Sequence, residues 1–161
     1  MSTINGLPVH VLLNHFIVVL APLTAILVIL CSAWPAARRR LVWPTLVLAA
    51  AVTALTPVTT EAGEWLERHV DSSPAVHTHT ELGDTMIYFS VALLVVAVAL
   101  AVVHLREERS MPAGRVLTGA VVAVAVIVGL ATIVQVYRIG ESGARSVWGD
   151  QITSAPADAG R

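Results

Sequence analysis

Four long apolar stretches constrain this 161-residue chain more than any other feature of its sequence. Residues 7–34, 41–60, 85–103 and 116–137 form runs of 28, 20, 19 and 22 residues without Asp, Glu, Lys or Arg. A helix rises 1.5 Å per residue, so about 20 residues cross the roughly 30 Å of hydrocarbon in a bilayer. An isolated strand would leave its backbone amides unsatisfied in lipid, and these stretches therefore predict transmembrane helices despite their many Val and Ile residues.

The composition agrees with a membrane protein and excludes several other classes. Hydrophobic residues make up 56% of the chain and charged residues only 13%, whereas soluble domains average roughly 25% charged residues. All ten basic residues are Arg, and a net charge of −1 cannot supply the basic face of a nucleic-acid-binding protein. A single Cys excludes a disulfide framework within the chain and a Cys-based zinc ribbon.

We therefore predict an all-α membrane protein, a four-helix transmembrane bundle that is kinked at its internal prolines. The transmembrane domain is expected to occupy residues 1–148, with spans at about 8–34, 41–60, 80–104 and 115–138. Residues 149–161 are rich in Ala, Ser, Asp and Gly and are expected to form a flexible polar tail.

Prolines and a capping pattern predict where the helices bend and begin. Pro22 and Pro57 lie inside apolar runs and should kink their helices, which membrane bundles tolerate. Pro44 suits the first turn of the second span. Thr78 and Glu81 have the spacing of a capping box, which predicts that the third span begins at Thr78.

The distribution of Arg among the connecting loops predicts the orientation, because cytoplasmic loops carry an excess of positive charge. Three Arg residues lie in the first loop and three in the third, whereas the second loop has one Arg among four acidic residues. We expect the first and third loops to be cytoplasmic and both termini to lie outside. Arg without Lys, together with abundant Ala and Val, fits a GC-rich bacterial genome, so the bacterial inner membrane is the expected location. The loop residues that carry this argument are Arg38, Arg39, Arg40, Arg106, Arg109 and Arg115, and Glu61, Glu64, Glu67, Arg68 and Asp71.

Polar residues collect at one end of the predicted bundle, on the outer side. Five of the six histidines belong to this level, and every predicted helix contributes a polar side chain to it. Such a cluster is typical of a metal or cofactor site in a helix bundle, and equally of a helix junction held by hydrogen bonds. The cluster consists of His10, Asn14, His15, Thr59, Thr60, Glu61, Glu64, His69, His77, His79, Glu81, Asp84, Gln135, Tyr137 and Arg138.

Motifs for catalysis do not emerge from the sequence. No spacing of Ser, His and Asp suggests a nucleophile elbow, and no Gly-rich loop follows a strand to hold a phosphate. The apolar spans carry no run of mid-membrane charges of the kind that pumps and transporters use. The sequence therefore does not indicate an enzyme.

Three motifs, at residues 5–16, 79–84 and 136–143, together resemble a bacterial membrane family known as domain of unknown function 2231. Asn5-Gly6-Leu7-Pro8-Val9-His10, followed by Asn14-His15-Phe16, is similar to the opening of that family. The run His-Thr-Glu-Leu-Gly-Asp at residues 79–84 resembles the start of its third helix. Val-Tyr-Arg-Ile-Gly at residues 136–140, with a further Gly at 143, is similar to its closing stretch. The resemblance covers roughly residues 5–148.

The resemblance implies a four-helix membrane domain of unestablished activity, some of whose members are suspected of binding haem through histidines. It makes His10, His15 and His79 the candidate cofactor ligands, with His15 and His79 preferred for haem b. Many members have a further His in the last helix, where this chain has the stretch Leu-Ala-Thr-Ile at residues 130–133.

Several functions are compatible with these observations. The first is a small non-catalytic or electron-carrying membrane protein whose cluster holds haem b or a divalent metal, with His77, Glu61 and Glu64 as alternative metal ligands. A cluster without any cofactor is the default expectation. The second is an accessory or assembly subunit of a larger membrane complex, and a third is a pH or metal sensor. The expected partners are the lipid bilayer and either another membrane protein or a second copy of the chain, packed through small residues such as Gly119 and Gly129.

Overall fold

The computed structural model describes residues 3–4, 7–69, 73–111 and 114–153, with side chains described for residues 10, 12–69, 73–111 and 114–148. Two short strands, β1 (Thr3–Ile4) and β2 (Leu7–Pro8), pair in antiparallel fashion ahead of the helices. The five helices are α1 (Val9–Ala33), α2 (Pro35–Glu67), α3 (Pro74–Asp84), α4 (Met86–Glu108) and α5 (Arg115–Thr153).

Four helical segments within the described residues are long and apolar enough to cross a membrane. They are Leu12–Ala33, Pro35–Glu67, Pro74–Glu108 and Arg115–Trp148, so that α3 and α4 together make the third segment. This confirms the predicted all-α four-helix membrane bundle. α1 packs on α2 and α5, α2 packs on α4, and α5 contacts both α3 and α4.

The bundle has two different ends. The connections from α1 to α2 and from α4 to α5 lie at one end, which we call the arginine end. The start of α1, the end of α2, the start of α3 and the end of α5 meet at the other, which we call the histidine end. Buried residues form one cluster toward the arginine end, around Leu93 and Leu100, and a second toward the histidine end, around Ile17 and Met86.

The first predicted loop is helical. Only Trp34, in an extended conformation, separates α1 from α2, and Pro35 occupies the first turn of α2. Proline is favoured there because its missing N–H would have no partner inside the helix. α2 therefore begins six residues before the expected second span. Pro44, predicted in its first turn, lies inside the helix like Pro22 and Pro57.

The third helical segment begins earlier than the capping pattern predicts. Ser73 is the N-cap of α3 and accepts a hydrogen bond from the backbone N–H of Val76 at 3.2 Å. The Thr78 hydroxyl instead donates to the carbonyl of Pro74. The predicted capping box at Thr78 is therefore wrong, because Ser73 followed by Pro74 provides a stronger helix start. Thr85 separates α3 from α4.

At the other end of the chain, α5 continues to Thr153, past the point at residue 149 where the tail was expected to begin. The rest of that predicted tail, residues 154–161, lies outside the described residues.

Arg38 was assigned to the first loop, but it is buried in the bundle. Its side chain is 3% exposed, and Nη2 lies 2.5 Å from Oε1 of Glu107 on α4. Nη1 also donates to the last-turn carbonyls of α1, at 3.1 Å for Cys31 and 3.5 Å for Ser32. This one guanidinium therefore joins α1, α2 and α4 at the arginine end, because a charge removed from water needs such partners. Arg39 and Arg40 remain exposed.

Gly129 marks a close approach of α5 to α1. A Cβ atom built on Gly129 would lie 2.7 Å from Cδ1 of Ile29 and 3.2 Å from the carbonyl oxygen of Ala25. Small residues permit such approaches between membrane helices. Gly119 lies on the same helix, more than two turns before Gly129, and faces open space.

Candidate ligand site at the histidine end

A cavity of about 870 Å³ opens at the histidine end, where α1, α2, α3 and α5 converge. Its volume falls in the range of pockets that bind small molecules and cofactors, roughly 300–1,000 Å³. Histidine, threonine and amide side chains line one part of it, and aliphatic side chains line another. The polar part includes His10, Asn14, His15, Thr59, Thr60 and His79.

His10 is fixed between α1 and α2. Its Nδ1 lies 3.0 Å from the carbonyl oxygen of Thr59. Gly63, one turn further along α2, makes room for the ring, because a Cβ at that position would lie 2.9 Å from Cε1 of His10. The side chain is thus held by a hydrogen bond and by a backbone surface that only glycine provides.

His79 is fixed in the same way between α3 and α5. Its Nδ1 lies 3.1 Å from the carbonyl oxygen of Ile139 and 3.1 Å from Oγ of Ser142. The Ser142 hydroxyl donates to the same Ile139 carbonyl at 2.9 Å. A Cβ on Gly143 would lie 3.0 Å from Cε1 of His79, so a glycine again provides the space for the ring.

The two imidazoles line the same cavity and meet in a T-shaped contact. Their ring centroids are 6.1 Å apart, and their planes are nearly perpendicular, at 83°. Because a carbonyl oxygen only accepts hydrogen bonds, the neutral form of each ring carries its proton on Nδ1. Nε2 of His10 and Nε2 of His79 then each present a lone pair. Two neutral imidazoles with unprotonated Nε2 atoms are a typical pair of metal ligands.

His15, the preferred partner of His79 in the sequence analysis, is placed differently. It lines the cavity but is largely exposed, and the ring that contacts His79 is that of His10. The two histidines of α1 are five residues apart, which turns them about 140° around the helix axis. Asn14, four residues from His10, lies on the same side of α1 and also lines the cavity.

Two of the three alternative metal ligands, His77 and Glu64, line a shallower cleft next to the cavity. This acidic cleft has a volume of about 370 Å³. His77 lies there, with Nε2 3.2 Å from Oε1 of Glu81 and Nδ1 3.8 Å from Oε1 of Glu67. Glu64 faces Arg68 at 3.8 Å, and Glu61 is exposed on α2. The residues that line the acidic cleft are Glu64, Glu67, Arg68, His77, Thr80, Glu81 and Asp84.

Protein ligands for a complete metal cage do not come together in the described part of the chain. No group of three or more His, Cys, Asp or Glu side chains there is arranged to hold a metal ion. His77 is instead paired with Glu67 and Glu81, and Glu64 with Arg68. The histidine end therefore offers two imidazoles, those of His10 and His79. A metal ion held by them would fill its remaining coordination positions with water or with another ligand.

Gln135 has a structural role that its position in the polar cluster does not reveal. It is buried, and its amide nitrogen donates to the Leu82 carbonyl at 3.0 Å and to Oγ1 of Thr85 at 2.7 Å. It thus ties α5 to the junction between α3 and α4. Residues 130–133 lie before this point, and Ile133 packs against the apolar core.

Comparison with protein families agrees with this architecture. A family model described as a predicted membrane protein, DUF2231, matches residues 6–156, nearly the whole chain. No curated protein and no solved structure gives a match. The chain therefore belongs to the DUF2231 family of predicted membrane proteins.

Proposed function

We propose that this chain is a membrane domain that holds a metal centre between His10 and His79 at its histidine end. The observation that supports the proposal is that both rings are held in the same way. Each of them donates Nδ1–H to a backbone carbonyl. Histidines that bind metals almost always donate their second N–H in this way, which sets the tautomer and the ring orientation.

The spacing of the rings also suits a shared metal. With metal–nitrogen bonds of about 2.0 Å, two imidazoles that shared one ion would have ring centroids between roughly 4.5 and 6.3 Å apart. The centroids of His10 and His79 are 6.1 Å apart. Gly63 and Gly143 leave the space in which each ring lies beside its carbonyl partner, and a side chain at either position would meet the Cε1 atom of that ring.

A bound iron or copper centre would supply one-electron transfer, and a zinc ion would supply only structure. The chain's own contribution is to orient two Nε2 lone pairs, because each carbonyl partner accepts from Nδ1–H and so sets the tautomer of the neutral ring. Thr59 and Ile139 provide these carbonyls from α2 and α5. The protein thus binds and positions its centre, in agreement with the absence of a catalytic motif from its sequence.

Replacing either histidine by alanine should remove the centre. We expect protein purified gently in mild detergent to contain close to one metal per chain, and the His10→Ala and His79→Ala variants to retain less than a tenth of it. Elemental analysis and an absorption spectrum, oxidised and then dithionite-reduced, measure this on one sample. His69→Ala is the matched control, because His69 bonds the Trp65 carbonyl and stacks on Trp65.

Two results would contradict the proposal. One is equal metal content in the wild type and both variants. The other is a colourless, metal-free protein recovered with stoichiometric membrane partners, which would favour an accessory subunit with a purely structural cluster.

We also propose that the arginine end faces the cytoplasm of a bacterial cell and that the histidine end faces outside. Exposed Arg39, Arg40 and Arg106 support this orientation, which follows the excess of positive charge in cytoplasmic loops. Cysteines introduced at Ser73 and Ser110 test it with a membrane-impermeant thiol reagent in intact cells. We expect labelling at position 73 alone, and labelling at position 110 alone would reverse the orientation.

A further inference from the structure

We infer that the centre held by His10 and His79 is a divalent transition-metal cation that enters through the acidic cleft, and not haem. This inference rests on the proposed function and specifies its ligand. The charges of the cavity and of the neighbouring cleft support it.

The charged side chains that line the two spaces are mostly carboxylates. Glu67 and Asp84 line both the cavity and the acidic cleft, so the two spaces share an acidic boundary. Glu64 and Glu81 add two further carboxylates to the cleft. Arg68, the basic residue of the cleft, already lies beside Glu64 at 3.8 Å. A concave surface with one predominant sign of charge raises the local concentration of the opposite ion.

The negative charge that attracts a cation to this site disfavours haem. Its two propionates are negatively charged, and proteins commonly pair such carboxylates with Arg, whose guanidinium matches their geometry. Among the described residues that line the cavity, the ones that carry a full charge are Glu67 and Asp84. The described residues that line the cavity therefore offer a haem two carboxylates and no Arg to pair with its propionates.

The donor set indicates the class of cation. Imidazole nitrogen suits zinc, copper, nickel and iron, whereas magnesium and calcium prefer oxygen ligands. Two imidazoles leave at least two positions of the ion to other ligands. The cavity of about 870 Å³ far exceeds the roughly 30 Å³ that one water occupies, so bound water can complete the coordination shell. The site is therefore open on its cavity side.

Titration of the metal-free full-length protein in detergent tests the inference, with cobalt(II) chloride and hemin as separate probes. We expect one cobalt ion per chain, with absorption bands that His10→Ala or His79→Ala abolishes. Hemin should give no absorption band that depends on these two histidines. The double variant Glu67→Gln with Asp84→Asn should keep the cobalt bands but raise the apparent dissociation constant about tenfold, because it removes the charges shared by cavity and cleft.

A second double variant controls for net charge. Glu108→Gln with Glu141→Gln removes two charges that line neither the cavity nor the cleft and should leave the dissociation constant for cobalt unchanged. Equal weakening by both double variants would overturn the role of the cleft. Stoichiometric, histidine-dependent hemin binding without cobalt binding would overturn the choice of cation and leave the proposed function standing. If neither probe binds, the proposed function itself fails.

Discussion

Replacing Glu107 by alanine should destabilise the bundle by about 2–3 kcal/mol, at or just below the low end of the range for breaking a buried ion pair, because the Glu107 side chain is itself 35% exposed. The substitution leaves the guanidinium of Arg38, 3% exposed, without its carboxylate inside the protein. The cost stays at the low end because Arg38 keeps its bonds to two α1 carbonyls. Unfolding in mixed detergent and SDS micelles, followed by circular dichroism, measures the change in the free energy of unfolding.

An exposed ion pair on α5 provides the control. Arg145 and Glu141 are 2.6 Å apart, but their side chains are 73% and 43% exposed. Pairs of this kind contribute about 0.3–0.5 kcal/mol, so Glu141→Ala should have little effect. A double variant, Arg38→Met with Glu107→Leu, should recover part of the loss, because it removes the stranded charge. Equal destabilisation by Glu107→Ala and Glu141→Ala would show that the Arg38 ion pair does not hold this end together.

Gly129→Val should destabilise the protein by about 1–3 kcal/mol, the usual cost of overpacking a closely packed contact. The first added carbon would already lie 2.7 Å from Ile29 and 3.2 Å from the backbone oxygen of Ala25. Ile29 can change its rotamer, but the backbone of α1 can yield only if the two helices separate. The same unfolding measurement applies.

Gly119→Val introduces the same side chain into the same helix, at a position that faces open space. We expect its free energy of unfolding to stay within about 0.5 kcal/mol of the wild type, as is usual for surface substitutions. A loss at Gly119 as large as that at Gly129 would show that valine itself disfavours α5 and that the contact with α1 contributes little.

The membrane architecture was predictable because it depends on the lengths and apolar composition of the segments, both of which the sequence states directly. The precise helix ends were less predictable. The capping pattern at Thr78 competes with Ser73-Pro74, and only the folded chain shows that the earlier start prevails. Arg38 was assigned to a loop because it lies in a run of Arg between two apolar stretches. Nothing near it in the sequence indicates its partner, Glu107, which lies 69 residues away.

The histidine cluster was predictable as a region, but its pairing was not. Helical spacing places His10 and His15 on different sides of α1, yet it does not indicate which of them turns toward His79. That choice depends on Gly63 and on the Thr59 carbonyl, both from α2. Gly143 and the Ile139 carbonyl, which fix His79, likewise carry no local pattern that identifies them. Close contacts between glycine and a distant ring become visible only when the helices are packed.

The number of imidazoles coordinated to one bound metal is the most direct test of the centre proposed between His10 and His79. Pulsed electron paramagnetic resonance of protein loaded with one copper(II) ion detects the remote nitrogen of each coordinated imidazole. We predict two coordinated imidazoles in the wild type and in His15→Ala, and loss of the bound-copper signal in His10→Ala and in His79→Ala. A copper spectrum that is unchanged in both His10→Ala and His79→Ala would contradict the assignment of these two side chains as ligands of one centre.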